Sequence, residues 1–347
     1  MILLSYLSGA HILFKIIQVM FICFLAIKNL KIEKAAFVFS ILFLFSTIYS
    51  AIITQYFDMR LWAQAIVFIL FCIIGKNYNI FKTTKYFWYI SLLIVILSFI
   101  FWFFDFNFSV GKNRLFLDEQ SSIFGRKMIN GFGSEVNYTA FFFVFLCVLR
   151  AFQTEKLFYL FPIIFIGLIQ DSNLVFIIFI FVLPILIFKK AILAPLFLAF
   201  IFYAIFIVLQ LERAEGLIFF GPRHVLWNSA IEIIQSFPEY GHGYSNTQKF
   251  LEAGMENFDK QYYVHNGFLE AGMAAGPIYL YIGALIILYK LFSFVFYNNW
   301  KHAGMLGIAV IFITFNAGFL GSLSLGGILI SYLIGVPSNR KIKCLKT

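Results

Sequence analysis

The sequence predicts an all-α polytopic integral membrane protein with about eleven (10–12) transmembrane helices. Three observations predict it. Hydrophobic residues make up 62% of the 347 and charged residues only 12%, against roughly 25% charged in a soluble domain. The apolar residues fall in runs of membrane-spanning length. Lys and Arg then gather in the short turns between alternate runs. With 49 Phe residues and a mean hydropathy of +0.92, such a chain cannot clothe itself in polar groups, so much of its surface must face lipid.

Taken in order, the apolar runs lie near 5–27, 35–54, 61–75, 86–104, 136–150, 157–170, 174–188, 191–210, 266–289, 303–320 and 324–337. No internal repeat or low-complexity linker divides them, so residues 1–347 read as one membrane domain. The N-terminus has no basic n-region or small-residue cleavage site, so no removable signal peptide is expected. The four cysteines, Cys23, Cys72, Cys147 and Cys344, have no pairing spacing.

Charge orients the map. With the N-terminus periplasmic, the cytoplasmic segments are 28–34, 76–85, 151–156, 189–190, 290–302 and the C-terminal tail. They and Arg150 hold about 16 of the 26 basic residues but only two acids, Glu33 and Glu155. The net charge of +10 is therefore read as a topological bias, not as a nucleic-acid surface. The expectation is a multi-pass protein of a bacterial inner (cytoplasmic) membrane with its C-terminus cytoplasmic.

Two long connections fall on the opposite, periplasmic face, 105–135 and 211–265, the second carrying the candidate site. The cytoplasmic turns are too short for a nucleotide fold. There is no phosphate-binding Gly-rich loop ending in Lys-Ser/Thr, and Gly241-His242-Gly243 lacks the third glycine of a dinucleotide site. No nucleotide partner, no cofactor and no metal is expected, because no His/Cys/Asp cluster has metal-ligand spacing.

In the large loop, residues 223–236 have helical periodicity, with Leu226, Ala230, Ile233 and Ile234 on one face and Trp227 at its border. This predicts a surface helix with Trp227 in the membrane interface. Arg223 stands at its start, where a cation and free N–H groups suit a phosphate; the alternative is contact with lipid headgroups. His265 lies just before an apolar run, at or near a helix start. An imidazole with an unperturbed pKa of about 6.5 accepts a proton at neutral pH; the alternative is a histidine that only caps the helix. His242 is the competing candidate, with His224 behind it. In the first loop, Lys112, Arg114, Arg126 and Lys127 are cations on the acid-rich face, and Arg126, near a span entrance, best suits an anion.

Together these elements resemble the bacterial O-antigen polymerase and ligase superfamily, Wzy-type polymerases more closely than WaaL-type ligases. His265-Asn266, nine residues, then Gly276 and Tyr279 match the family pattern of His-Asn/Ser/Gln, nine spacers, Gly, two residues and Gly, Thr or Tyr. Arg223 with Trp227, then Pro238 and Gly241-x-Gly243, resembles the opening of the family's large loop. Gly131-Phe132-Gly133 with Asn137 and Ala140 resembles the entry to an earlier span. The motifs cover roughly 125–290. Many family members carry Ser-Arg after the mid-chain span, where this chain has Asp171-Ser172-Asn173.

The resemblance implies a metal-independent glycosyltransferase with a C-superfamily-like helical architecture and a large helical periplasmic loop. Its donor and acceptor would be undecaprenyl-diphosphate-linked oligosaccharide repeat units, polymerised into O-antigen by inverting transfer in lipopolysaccharide biosynthesis. A chain-length regulator protein would be a possible partner, besides the bilayer. His265 would be the general base. Arg223, Arg126, Asn266, Asn137, Tyr263, Tyr279 and His242 would bind sugar or pyrophosphate. The alternatives are an O-antigen ligase passing the glycan to lipid A-core and, in another class, a polysaccharide flippase or transporter, which predicts broken helices at the midplane.

Overall fold

The computed structural model describes residues 12–28, 30–54, 58–82, 85–105, 108–110, 113–121, 127–131, 136–170, 172–215, 223–236, 241–243, 264–316 and 319–339. Each apolar run contributes a helix: α1 (Ile12–Lys28), α2 (Lys34–Thr54), α3 (Met59–Asn77), α4 (Lys85–Phe103), α5 (Val136–Thr154), α6 (Phe161–Gln170), α7 (Asn173–Phe188) and α8 (Leu193–Glu215). After the loop helix α9 (Arg223–Ser236) come α10 (Gly267–Ala275), α11 (Pro277–Phe296), α12 (Trp300–Phe315) and α13 (Leu325–Gly335).

Among the described residues, five helical stretches are long and apolar enough to cross a membrane: Lys34–Ile52, Met59–Asn77, Tyr86–Phe103, Asn137–Thr154 and Pro277–Phe296. The 19 residues of α3 span about 28 Å at 1.5 Å per residue, close to the hydrocarbon thickness. The apolar stretches Leu157–Gln170, Asn173–Phe188, Leu193–Val208, Trp300–Phe315 and Leu325–Gly335 are shorter.

The hub is α12 with α13, in which Lys301–Phe315 and Leu325–Gly335 are all buried. Small residues let neighbours reach the α12 backbone: a Cβ at Gly307 would lie 2.1 Å from the Phe181 ring, and one at Gly304 would lie 2.8 Å from Phe152. Around the hub, Phe37, Phe45, Leu92, Phe165, Phe200 and Leu285 turn large apolar side chains outward, as a lipid-facing rim requires. Helix α13 lies against α3 at backbone distance, since a Cβ at Gly335 would fall 2.1 Å from the Cys72 carbonyl oxygen.

The segments expected on one side of the bilayer do share a face. Asn77 donates to the Lys31 carbonyl, Gln153 to that of Phe81 and Asn299 to that of Ser338. Glu155 pairs with Lys189 and, at 2.9 Å, with Lys301. This is the turn face. The loop-bearing segments join on the opposite, loop face: Gln170 exchanges two hydrogen bonds with the Ile129 backbone, at 2.7 and 2.9 Å, and the Leu325 N–H donates to the Tyr138 hydroxyl.

Three expectations are corrected. The fold is mostly helical but not all-α: within 105–135, β1 (Phe108–Val110), β2 (Asn113–Ser121) and β3 (Lys127–Gly131) form an antiparallel sheet in the order β1-β2-β3. A long connection must satisfy its own backbone groups, and here it does so by pairing, with the Gln170 carboxamide extending the ladder at Ile129. The run 266–289 is not one helix; Gly276 at φ 85° and Pro277 divide it into α10 and α11. Trp227 is 3% exposed, turned inward against Val264 and Phe315 and not presented at the surface.

Gly335→Val should therefore lower the melting temperature of the detergent-purified protein, by an overpacking cost of about 1–3 kcal/mol or more. Leu92→Ala, on an exposed rim position, should leave it nearly unchanged. Equal melting of the two variants would contradict this packing.

Candidate functional site

The loop face is organised around the nine residues of α10. Asn266 starts the helix: its carboxamide oxygen accepts the Phe268 and Leu269 N–H groups at 3.0 and 3.1 Å, as an N-cap does. At the other end, Met273 O would ordinarily accept from residue 277, but Pro277 has no N–H. The His242 N–H takes that place at 2.8 Å, and the Gly243 N–H bonds Ala274 O at 2.8 Å. Gly241 is required for this approach, since a Cβ there would lie 2.3 Å from the Ala274 carbonyl carbon. The spacing of Gly241-His242-Gly243 is thus that of a turn closing the end of a helix whose own chain cannot close it.

Helix α9 packs along α10, and its apolar face is the one the periodicity predicts. Leu226, Trp227 and Ala230 are buried, and a Cβ on Gly272 would meet Ile234 at 2.7 Å. The Trp227 Nε1–H donates to the Val264 carbonyl at 2.9 Å. His265 follows directly, half-buried and in the left-handed region at φ 47°. It is the joint between a carbonyl held by Trp227 and the cap made by Asn266.

A cleft of about 440 Å³ opens between α5, α7, α8 and the end of α12, a size typical of ligand sites. Asn137, Ser172 and Asn173 form its polar end; Ile177 and Ile180 of α7 and Phe197, Ile201 and Ile205 of α8 form apolar walls. From Phe197 to Val208 the α8 wall runs about 16 Å along the helix axis. Ile180 and Phe200 are exposed, so the cleft opens sideways on the apolar outer surface of the bundle. Phe315 lines it and packs against Trp227 with ring centroids 6.1 Å apart.

The structure brings Trp227, His265 and Asn266 together at the start of α10, sets His242 at the other end of that helix, and places Asn137 in the cleft that Phe315 also lines. Asn266 is a helix cap. Tyr279 is fully buried in the bundle, its hydroxyl 3.2 Å from Gln64 Oε1 and its ring against Phe43 and Phe319, so its contacts there are internal. Arg223 is the first residue of α9, one turn before Trp227; its side chain, like that of His224, lies outside the described residues. So do Arg126, Tyr263 and Asp171. Among the described residues no three His, Cys, Asp or Glu side chains gather. Sequence reasoning missed the cleft, the role of Phe315 and the Trp227–Val264 bond. The one available signal was Pro277 four residues after Met273, which announces a carbonyl in need of a foreign donor.

Comparison with protein-family models, with curated proteins and with solved structures gives no match to this chain.

Burial holds the His242 imidazole below its ordinary 6.5. The unfolded ring takes up a proton near that value, the folded ring only at lower pH, so stability is lost as pH falls from about 6.5 through the folded value. The melting temperature should fall between about pH 7.5 and about pH 5.5, and less so in His242→Gln. Identical slopes in the two proteins would contradict the assignment.

Proposed function

We propose that the chain is a membrane glycosyltransferase that polymerises undecaprenyl-diphosphate-linked repeat units, an O-antigen polymerase of a bacterial inner membrane. In this reading the eleven apolar runs are the transmembrane set, the loop face is periplasmic and the turn face, with its excess of Lys and Arg, is cytoplasmic. The observation that carries it is His265 held between the Trp227-bonded Val264 carbonyl and the Asn266 cap, with Trp227 in ring contact with Phe315, which lines an apolar cleft whose polar end is Asn137.

The cleft supports a lipid-linked donor: its apolar walls suit a polyprenyl chain, and its polar end suits the diphosphate and first sugar. The acceptor hydroxyl attacks the anomeric carbon, a new C–O bond forms with inversion, and the bond to the diphosphate breaks. His265 takes the acceptor's proton, and undecaprenyl diphosphate departs with the electron pair. Arg223 and Arg126 stabilise that leaving charge. Asn137 and Tyr263 complete the donor and acceptor site, while Asn266, His242 and Tyr279 support it from outside, Asn266 by capping α10, His242 by closing its other end and Tyr279 by packing in the bundle.

One observation favours a second reading, a transporter of the same lipid-linked glycan: the run 267–296 is a discontinuous helix, a feature of substrate sites in transporters. Here the break lies at the loop face and is closed by the 241–243 turn. The test is His265→Ala expressed in a strain lacking the gene, with membrane insertion verified. A polymerase should yield lipid A-core bearing a single repeat. Bare core with accumulated lipid-linked polymer would mean a ligase, and full-length polymer would overturn the catalytic assignment.

A further inference from the structure

We propose that Trp227 is a positioning residue for His265, and that Phe315 couples its position to whatever apolar chain occupies the cleft. The inference deepens the lipid-linked reading and rests on it. His265 lies in the left-handed region at φ 47°, which non-glycine residues adopt uncommonly. The residue after it is fixed by the Asn266 cap. The residue before it, Val264, is 4% exposed, and its carbonyl is bonded by the Trp227 indole N–H at 2.9 Å.

The same indole faces the cleft through one intermediary. Phe315 ends α12, is itself buried, and presents its ring both to the cleft and to Trp227. An occupied cleft confines the Phe315 ring, and with it the indole packed on that ring. Ala204 and Val208 of α8 line the same cleft as Phe315. Because the indole N–H holds Val264, any displacement of the ring reaches the His265 joint directly. The effect is a free-energy coupling between chain binding and His265 geometry, and it is reciprocal. Its consequence is that the base is set in place when the lipid is bound.

The full-length protein in nanodiscs, with undecaprenyl phosphate as the probe, allows a test that does not depend on turnover. Binding is followed by native mass spectrometry, and the His265 environment by its rate of modification with diethyl pyrocarbonate, read by peptide mass spectrometry. In the wild type, the probe should change the His265 rate by about fivefold or more. In Trp227→Phe, which keeps a ring but loses the N–H, and in Phe315→Leu, which keeps the indole bond, the change should drop below about twofold. A purely structural role would move the unliganded rate but leave the ratio intact, and that outcome overturns the proposal. Should Trp227→Phe fail to fold, Phe315→Leu with an undiminished response overturns it alone. Binding without any response at wild-type His265 removes the coupling only. No binding at all removes the lipid-linked reading together with it.

Discussion

Pro277 denies Met273 the hydrogen bond that would continue α10 into α11, and the arrangement of the loop face follows from how that carbonyl is satisfied. An unpaired carbonyl buried away from water costs about 1–3 kcal/mol, and the protein answers with the backbone N–H groups of His242 and Gly243. That answer draws the 241–243 turn onto α10 and demands glycine at 241. It also leaves α10 a separate nine-residue unit whose other end must be set independently. Asn266 and Trp227 set it. The joint between those two fixings is His265.

The rest of the molecule provides a rigid frame for this unit. Small residues in α12 and α13 let the surrounding helices approach at backbone distance, so the hub is held by close packing, the force available where lipid competes for apolar surface. Phe315, at the loop-face end of α12, belongs at once to the hub, to the cleft and to the contact with Trp227. The cleft's polar end is built from helix entrances: Asn137 near the start of α5, and Ser172 and Asn173 at the start of α7. The residues at the Asp171-Ser172-Asn173 departure from the family pattern that are described, Ser172 and Asn173, thus lie at this rim.

The helices and their partition between two faces were legible in the sequence because each depends on a summed property. Lipid demands long apolar runs, and the Lys and Arg of the turns tag alternate connections. The three-stranded sheet within 105–135 was not legible, since its strands pair residues separated by a turn and its ladder ends on Gln170, a residue of another element. Trp227 and His265 were singled out by periodicity and by resemblance to a family pattern, which did not show what they bond. Trp227 stood at the border of an apolar stripe, which suits an interfacial residue; only the docking of α9 on α10 shows that its indole has a buried carbonyl to bond. Tyr279, matched by motif, belongs to the bundle interior and bonds Gln64, a partner that no spacing within 265–279 could reveal.

The proposal joins the α10 joint and the cleft, linked through Trp227 and Phe315, into one site for a lipid-linked diphosphate. It is tested most directly by an experimental structure of the protein in nanodiscs with undecaprenyl diphosphate. The polyprenyl chain should lie along the α8 wall from Phe197 to Val208, with the diphosphate between Asn137 and the start of α9. Density for the diphosphate on the turn face, or a chain bound elsewhere with the cleft empty, would contradict it.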